Sequence, residues 1–171
     1  MSAIDDKYAE LGGPAGFLGA PYDAGAGSDE ATTFDGRGRF RDFEQGTLIW
    51  TPETGAHEVH GAIRLKWASL SGEGGFLGYP LTDELGTPDG RGRYNHFQGG
   101  SIYWTPETDA HEVHGAIRER WAQMRWERSA LGYPVSDEMT PPSGHGRISR
   151  FEHGMIHWTP EGGAEVREFG E

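Results

Sequence analysis

One tripeptide recurs at a fixed interval. Trp50, Trp104 and Trp158 each open a Trp-Thr-Pro, and each is 54 residues from the next. Self-similarity at such a period marks an array of supersecondary units, each too small to bury its apolar face alone. Three aligned runs surround these tryptophans. Gly38-Arg39-Phe40 leads to Phe43, Gly46, Leu48 and Trp50. Gly92-Arg93-Tyr94 leads to Phe97, Gly100, Ile102 and Trp104. Gly146-Arg147-Ile148 leads to Phe151, Gly154, Ile156 and Trp158. Upstream stand Leu18-Gly19-Ala20-Pro21, Leu77-Gly78-Tyr79-Pro80 and Leu131-Gly132-Tyr133-Pro134. Asp29-Glu30, Asp83-Glu84 and Asp137-Glu138 keep the same spacing, so extra residues of the first copy fall within Tyr22 to Gly27.

Downstream, Ala56-His57-Glu58-Val59-His60-Gly61-Ala62-Ile63 matches Ala110-His111-Glu112-Val113-His114-Gly115-Ala116-Ile117. The third copy loses this segment. Ile4 to Tyr8 resembles Ile63 to Trp67, so each copy reads as a helix, then Leu-Gly-x-Pro, then strands. The copies in that frame are residues 1–62, 63–116 and 117–171.

Periodicity assigns the elements. Ile63, Trp67 and Leu70 share one face of a short helix, as do Ile117, Trp121 and Met124, and Ile4, Tyr8 and Leu11. The Gly-x-Pro after each is expected to end the helix. Leu48/Trp50, Ile102/Trp104 and Ile156/Trp158 are pairs on one strand face, with Ile49, Tyr103 and His157 pointing the other way. Gln98-Gly99-Gly100 and Glu152-His153-Gly154 read as tight turns, and Asp35-Gly36 and Asp89-Gly90 as turn dipeptides. The expected fold is a β-rich α+β tandem repeat, three small β units each with a short helix, set out as a stalk or closed on itself.

Composition narrows the function. The net charge of −12 makes nucleic acid and anionic lipid poor partners. With no Cys, disulfides, thiolate metal sites and a Cys nucleophile are excluded. With Gly at 28 and Pro at 10 the chain is turn-rich, and its 6 Trp, 6 Tyr and 8 Phe argue for a packed fold over disorder. No run of about 18 apolar residues marks a membrane helix, and Met1 to Asp6 does not read as a signal peptide.

These motifs resemble the LGFP repeat family: Leu-Gly-Tyr-Pro, Asp-Gly-x-Gly-Arg, Phe-x-x-Gly-x-Ile-Tyr-Trp and Thr-x-Ala-His-x-Val-x-Gly-x-Ile, in that order, from about Ile4 to Pro160. The resemblance implies tandem β units and a link to actinobacterial cell envelopes, where such repeats accompany wall enzymes and are thought to hold wall polysaccharide. A cell-envelope or secreted location follows from the resemblance alone, and a cytosolic one stays open. Departures are Ala20 in the first motif, Ser143 for Asp in the third copy, and the third copy's lost His segment.

The candidate ligand-binding residues are Arg39, Arg93, Arg147, Asp83, Glu84, Tyr79, Tyr103, Trp104, Tyr133, His57, His111 and His157. The Arg and acid sets read either as bridges that fix a loop or as a polar rim that holds sugar hydroxyls. Tyr79, Tyr133, Tyr103 and His157 are the better candidates for exposed stacking groups. Trp50, Trp104, Trp158, Trp67 and Trp121 read first as core. Trp126 has no counterpart in the other copies and reads as a surface ring or a local packing device. The two His of His-Glu-Val-His are three apart rather than four, so the zinc-protease spacing is missing and no metal is expected. Adjacent acids in threefold recurrence do not make one glycosidase dyad, and no Gly-x-Ser-x-Gly elbow is present. The expectation is a non-enzymatic, cofactor-free module that binds polysaccharide or oligosaccharide, of the arabinogalactan or peptidoglycan type in the wall, through repeated sites that add by avidity. The alternative is a spacer or self-associating interaction stalk.

Overall fold

The computed structural model describes residues 2–22 and 30–169. The elements run α1 (Ala3–Glu10), β1 (Ala31–Thr32), β2 (Arg39–Phe43), β3 (Gly46–Thr51), β4 (Gly55–His60), α2 (Gly61–Ser69), β5 (Leu85–Gly86), β6 (Arg93–Phe97), β7 (Gly100–Thr105), β8 (Asp109–His114), α3 (Gly115–Gln123), β9 (Arg147–Phe151), β10 (Gly154–Thr159) and β11 (Gly163–Glu168). They form three small open sheets, in the orders β1-β2-β3-β4, β5-β6-β7-β8 and β9-β10-β11. Each sheet is an antiparallel meander, and none closes into a barrel. The expected β-rich repeat with three helices is what the chain adopts. The expected insertion segment lies outside the described residues apart from exposed Tyr22.

The chain divides into two compact units, residues 1–85 with 95–98, and residues 86–94 with 99–171. In the first unit α1 is capped by Ser2, whose hydroxyl accepts from Asp5 N while Asp5 reaches back to Ser2 N. Its apolar face sets Ile4 against Leu18, Phe43 and Leu48. On β3 both alternating faces are buried, Leu48 at 0% and Ile49 at 1% exposure. Leu48 and Ile49 point opposite ways, as expected, but both sides are covered. Leu48 packs toward α1, whereas Ile49 shares a cleft with Trp67 of α2. A strand covered on both faces loses its alternation.

The second unit repeats this logic. Helix α3 packs on β7 and β8 and also on β10 and β11. Its Ile117 and Trp121 join Tyr103 and Val113 of one sheet to Phe151 and Ile156 of the next. Trp67 and Trp121 are core, as expected, but Trp50, Trp104 and Trp158 are only half-buried. The helices also end earlier than their Gly-x-Pro. Ser71 and Arg125 take left-handed φ of 76° and 79°, and a 3-10 turn follows each, Gly72–Gly74 and Trp126–Arg128. The prolines instead close sheet edges, Pro80 bridging to Phe97 and Pro134 to Phe151.

Candidate functional site

The repeated polar motifs meet at junctions between copies. In the first unit Asp83 Oδ1 accepts from Glu58 N at 3.2 Å and pairs with His57 Nδ1 at 3.0 Å, while Oδ2 meets Lys7 Nζ. The other His57 nitrogen is 2.8 Å from Thr54 O. Glu58, at 2% exposure, accepts from Glu84 N at 2.8 Å and pairs with His60 Nδ1 at 2.6 Å. Burial works to raise the Asp83 pKa, but the His57 and Lys7 contacts outweigh it and hold the carboxyl below its usual range.

The second unit holds the same constellation. Asp137 Oδ1 takes Glu112 N and His111 Nδ1, each at 3.1 Å. Glu112, also 2% exposed, takes Glu138 N at 2.8 Å and His114 Nδ1 at 2.7 Å. His-Glu-Val-His is thus a strand segment. Glu112 and His114, two apart, lie on one side and reach the following copy's Asp-Glu pair. Among the described residues no three His, Asp or Glu gather as a metal site.

The tyrosines form a second latch. Tyr79 Oη donates to Asp35 Oδ1 at 2.7 Å and lies 2.9 Å from Thr33 Oγ1. Tyr133 Oη repeats this on Asp89 at 2.7 Å and Thr87 at 2.8 Å. Burial, with the carboxylate alongside, pushes the Tyr79 hydroxyl up to about 12. Gly92 lets the ring in, because a Cβ there would come within 2.8 Å of the Tyr133 ring and 2.6 Å of Trp104 O. The Tyr of each Leu-Gly-Tyr-Pro therefore docks into the Asp-Gly turn of the preceding copy. Ala20 and Ser143 each remove one half of such a latch. Replacing Tyr133 by Phe should cost about 1–3 kcal/mol, since a buried hydrogen bond to a carboxylate is lost. Urea unfolding would measure it, with Tyr79→Phe expected to match.

These contacts correct the exposed-ring expectation. Tyr79 and Tyr133 are 0% exposed and Tyr103 is 2%. Trp104 and His157 are half-buried, the latter with Nε2 at 2.9 Å from His145 O. Asp83, Glu84, His57 and His111 belong to the junctions rather than to an open rim. The arginines fix loops: Arg147 Nε donates to Glu138 Oε2 at 2.9 Å, and Arg39 donates to Glu30 O at 3.0 Å and Thr32 Oγ1 at 2.8 Å. Arg93 lies over β5 beside Gly86. Asp29 lies outside the described residues.

The first unit has an open cleft of about 360 Å³, at the lower end of small-molecule sites. Phe40, Asp42, Thr47 and Ile49 line it from the sheet, Arg64 and Trp67 from α2, and Ser71, Gly72 and Glu73 from the 3-10 turn. Arg64 Nε donates to Thr47 Oγ1 at 2.7 Å, and its Nη2 is 3.6 Å from Asp42. Glu73 makes no side-chain hydrogen bond among the described residues. Recurring motifs do not point to this cleft, because the residue that opens it does not recur. The signal that could have found it is a failure to recur, Gly72 standing where the second copy has Trp126.

No curated protein matches the chain. The family model described as LGFP repeat matches three times, at residues 26–75, 77–129 and 131–168. Those three matches cover most of the chain, and the latches give their shared motifs a physical reason; the chain belongs to the LGFP repeat family.

Proposed function

We propose that the chain is a non-catalytic carbohydrate-binding module of the cell envelope, held on wall polysaccharide. The open cleft of the first unit carries this reading. It combines a half-buried ring, Phe40, with carboxylates on Asp42 and Glu73, the pairing that meets a sugar's C–H face and its hydroxyls. Family membership supports the envelope setting. Asp83-Glu84 and Asp137-Glu138 are committed to junctions, which speaks against their use as a hydrolytic dyad.

The test is sedimentation with insoluble actinobacterial cell wall. Depletion of the protein, reversed by soluble galactan or arabinan oligosaccharides, is the expected result. No depletion at any wall concentration overturns the reading. A spacer or interaction stalk is the second reading, favoured by how completely the repeated polar motifs are used in latches. It predicts no sugar binding and a self-association seen by sedimentation velocity.

A further inference from the structure

We propose that the cleft over Gly72 takes one neutral, hydroxyl-rich sugar ring, in the place that a tryptophan side chain fills in the second unit. This rests on the carbohydrate reading above. Ile49, Arg64, Trp67, Gly72 and Glu73 correspond, 54 residues on, to Tyr103, Arg118, Trp121, Trp126 and Glu127. In the second unit the Trp126 ring stacks on Tyr103, centroids 6.0 Å apart at 22°. It meets Trp121 edge-on at 5.3 Å, and the Arg118 guanidinium lies 5.1 Å from its centre. The chain's own side chain thus marks where a flat ring rests in this arrangement of sheet and helix.

The first unit keeps the arrangement and omits the ring. Gly72 has φ of 54° and Trp126 of 56°, so the backbones agree. A Cβ on Gly72 would approach the Trp67 ring at 3.8 Å, an ordinary contact, with nothing closer. Phe40 offers an apolar floor for one face of a pyranose or furanose ring, with Ile49 and the Trp67 edge packed behind it. The rim sets the ligand's charge. Arg64 is already engaged with Thr47 and Asp42, and Asp42 Oδ1 takes the Thr47 hydroxyl, so the groups left to a ligand are mainly acceptors, Asp42 Oδ2 and the Glu73 carboxylate. Hydroxyls donate to such acceptors. A uronate or sugar phosphate would meet two carboxylates in a chain of net charge −12.

The valence follows. Trp126 fills the second copy's counterpart. The third copy has His157 in the Ile49 place, and among the described residues no helix follows β11 to wall a cleft. The three copies are therefore not three equal sites, and avidity within one chain is not the source of retention.

Calorimetric titration of the full chain with galactan and arabinan oligosaccharides tests this, with polygalacturonate as the charged control. The wild type should bind one equivalent of a neutral oligosaccharide and no polygalacturonate. Gly72→Trp should weaken binding at least about tenfold by filling the cleft. Trp126 shows that this fold accepts Trp at such a φ, and the unfolding midpoint checks that the variant is folded. Glu73→Gln, on the rim, should weaken binding severalfold without touching the core. Trp126→Gly should raise the stoichiometry toward two. A wild type that binds both wall and sugar, alongside Gly72→Trp and Glu73→Gln that bind equally well, overturns this site and leaves the carbohydrate reading standing. A wild type that binds neither overturns both. Equal binding of polygalacturonate overturns the neutral assignment.

Discussion

Trp121→Ala is expected to lower the unfolding free energy by about 3–5 kcal/mol, the usual range for emptying a buried tryptophan site. Trp121 is 0% exposed and touches rings from two sheets, Tyr103 of β7 at 4.7 Å and Phe151 of β9 at 5.3 Å. Truncation removes the apolar burial and leaves a cavity between the sheets on which α3 packs. The surrounding rings are themselves wedged, so the site collapses poorly. Trp121→Phe separates packing from hydrogen bonding. The Trp121 Nε1 is buried without a partner among the described residues, so its loss costs nothing in hydrogen bonds there. Trp67 Nε1 donates to Gly78 O at 3.0 Å, so Trp67→Phe loses a bond that Trp121→Phe does not. Urea unfolding of the three variants checks the order. A cost below about 1 kcal/mol for Trp121→Ala would mean that α3 is not the bond between its two sheets.

The array was legible because recurrence reports geometry: residues that must meet the same neighbour in every copy stay 54 apart. Helices, hairpins and the buried Trp67 and Trp121 follow from period and spacing. The role of the recurring residues did not follow. Tyr79 and Tyr133 flank a proline turn, where a ring is usually wet, yet both are 0% exposed because the turn of the previous copy receives them. A contact between copies is invisible to any reading that treats each copy as complete. The same reason hides Glu58 and Glu112, which look like solvated acids on a strand and are buried by the Asp-Glu pair of the next copy. Recurrence and open space also pull apart here. Positions that repeat are spent on holding copies together, while a position that does not, Gly72 against Trp126, decides whether the space beside the helix is open or filled.

Glu112→Ala should cost about 3 kcal/mol, because it strips partners from a buried polar cluster rather than removing a surface charge. It leaves the Glu138 N–H without its 2.8 Å acceptor and His114 without its 2.7 Å carboxylate. Glu112→Gln keeps an acceptor for Glu138 N and should cost less. The variant also changes the pH dependence. The hydrogen bond to Glu112 raises the His114 pKa above the ordinary 6.5, burial opposes it, and the Glu112 and Glu138 charges add to the rise while Arg147 works against it. A histidine with a raised folded-state pKa contributes stability that is full below its unfolded value and lost as pH climbs through the folded one. The wild type should therefore lose stability between about pH 6 and pH 8. The carboxylates held low, Asp83, Asp89 and Glu152 among them, titrate well below that window and leave it unaffected. In Glu112→Ala the raising contact is gone, and the fall over the same window should shrink. Denaturant midpoints at both pH values measure it. An unchanged fall with pH in the variant would place the titrating group elsewhere, and a loss below about 1 kcal/mol would mean that the junction does not need its buried acid.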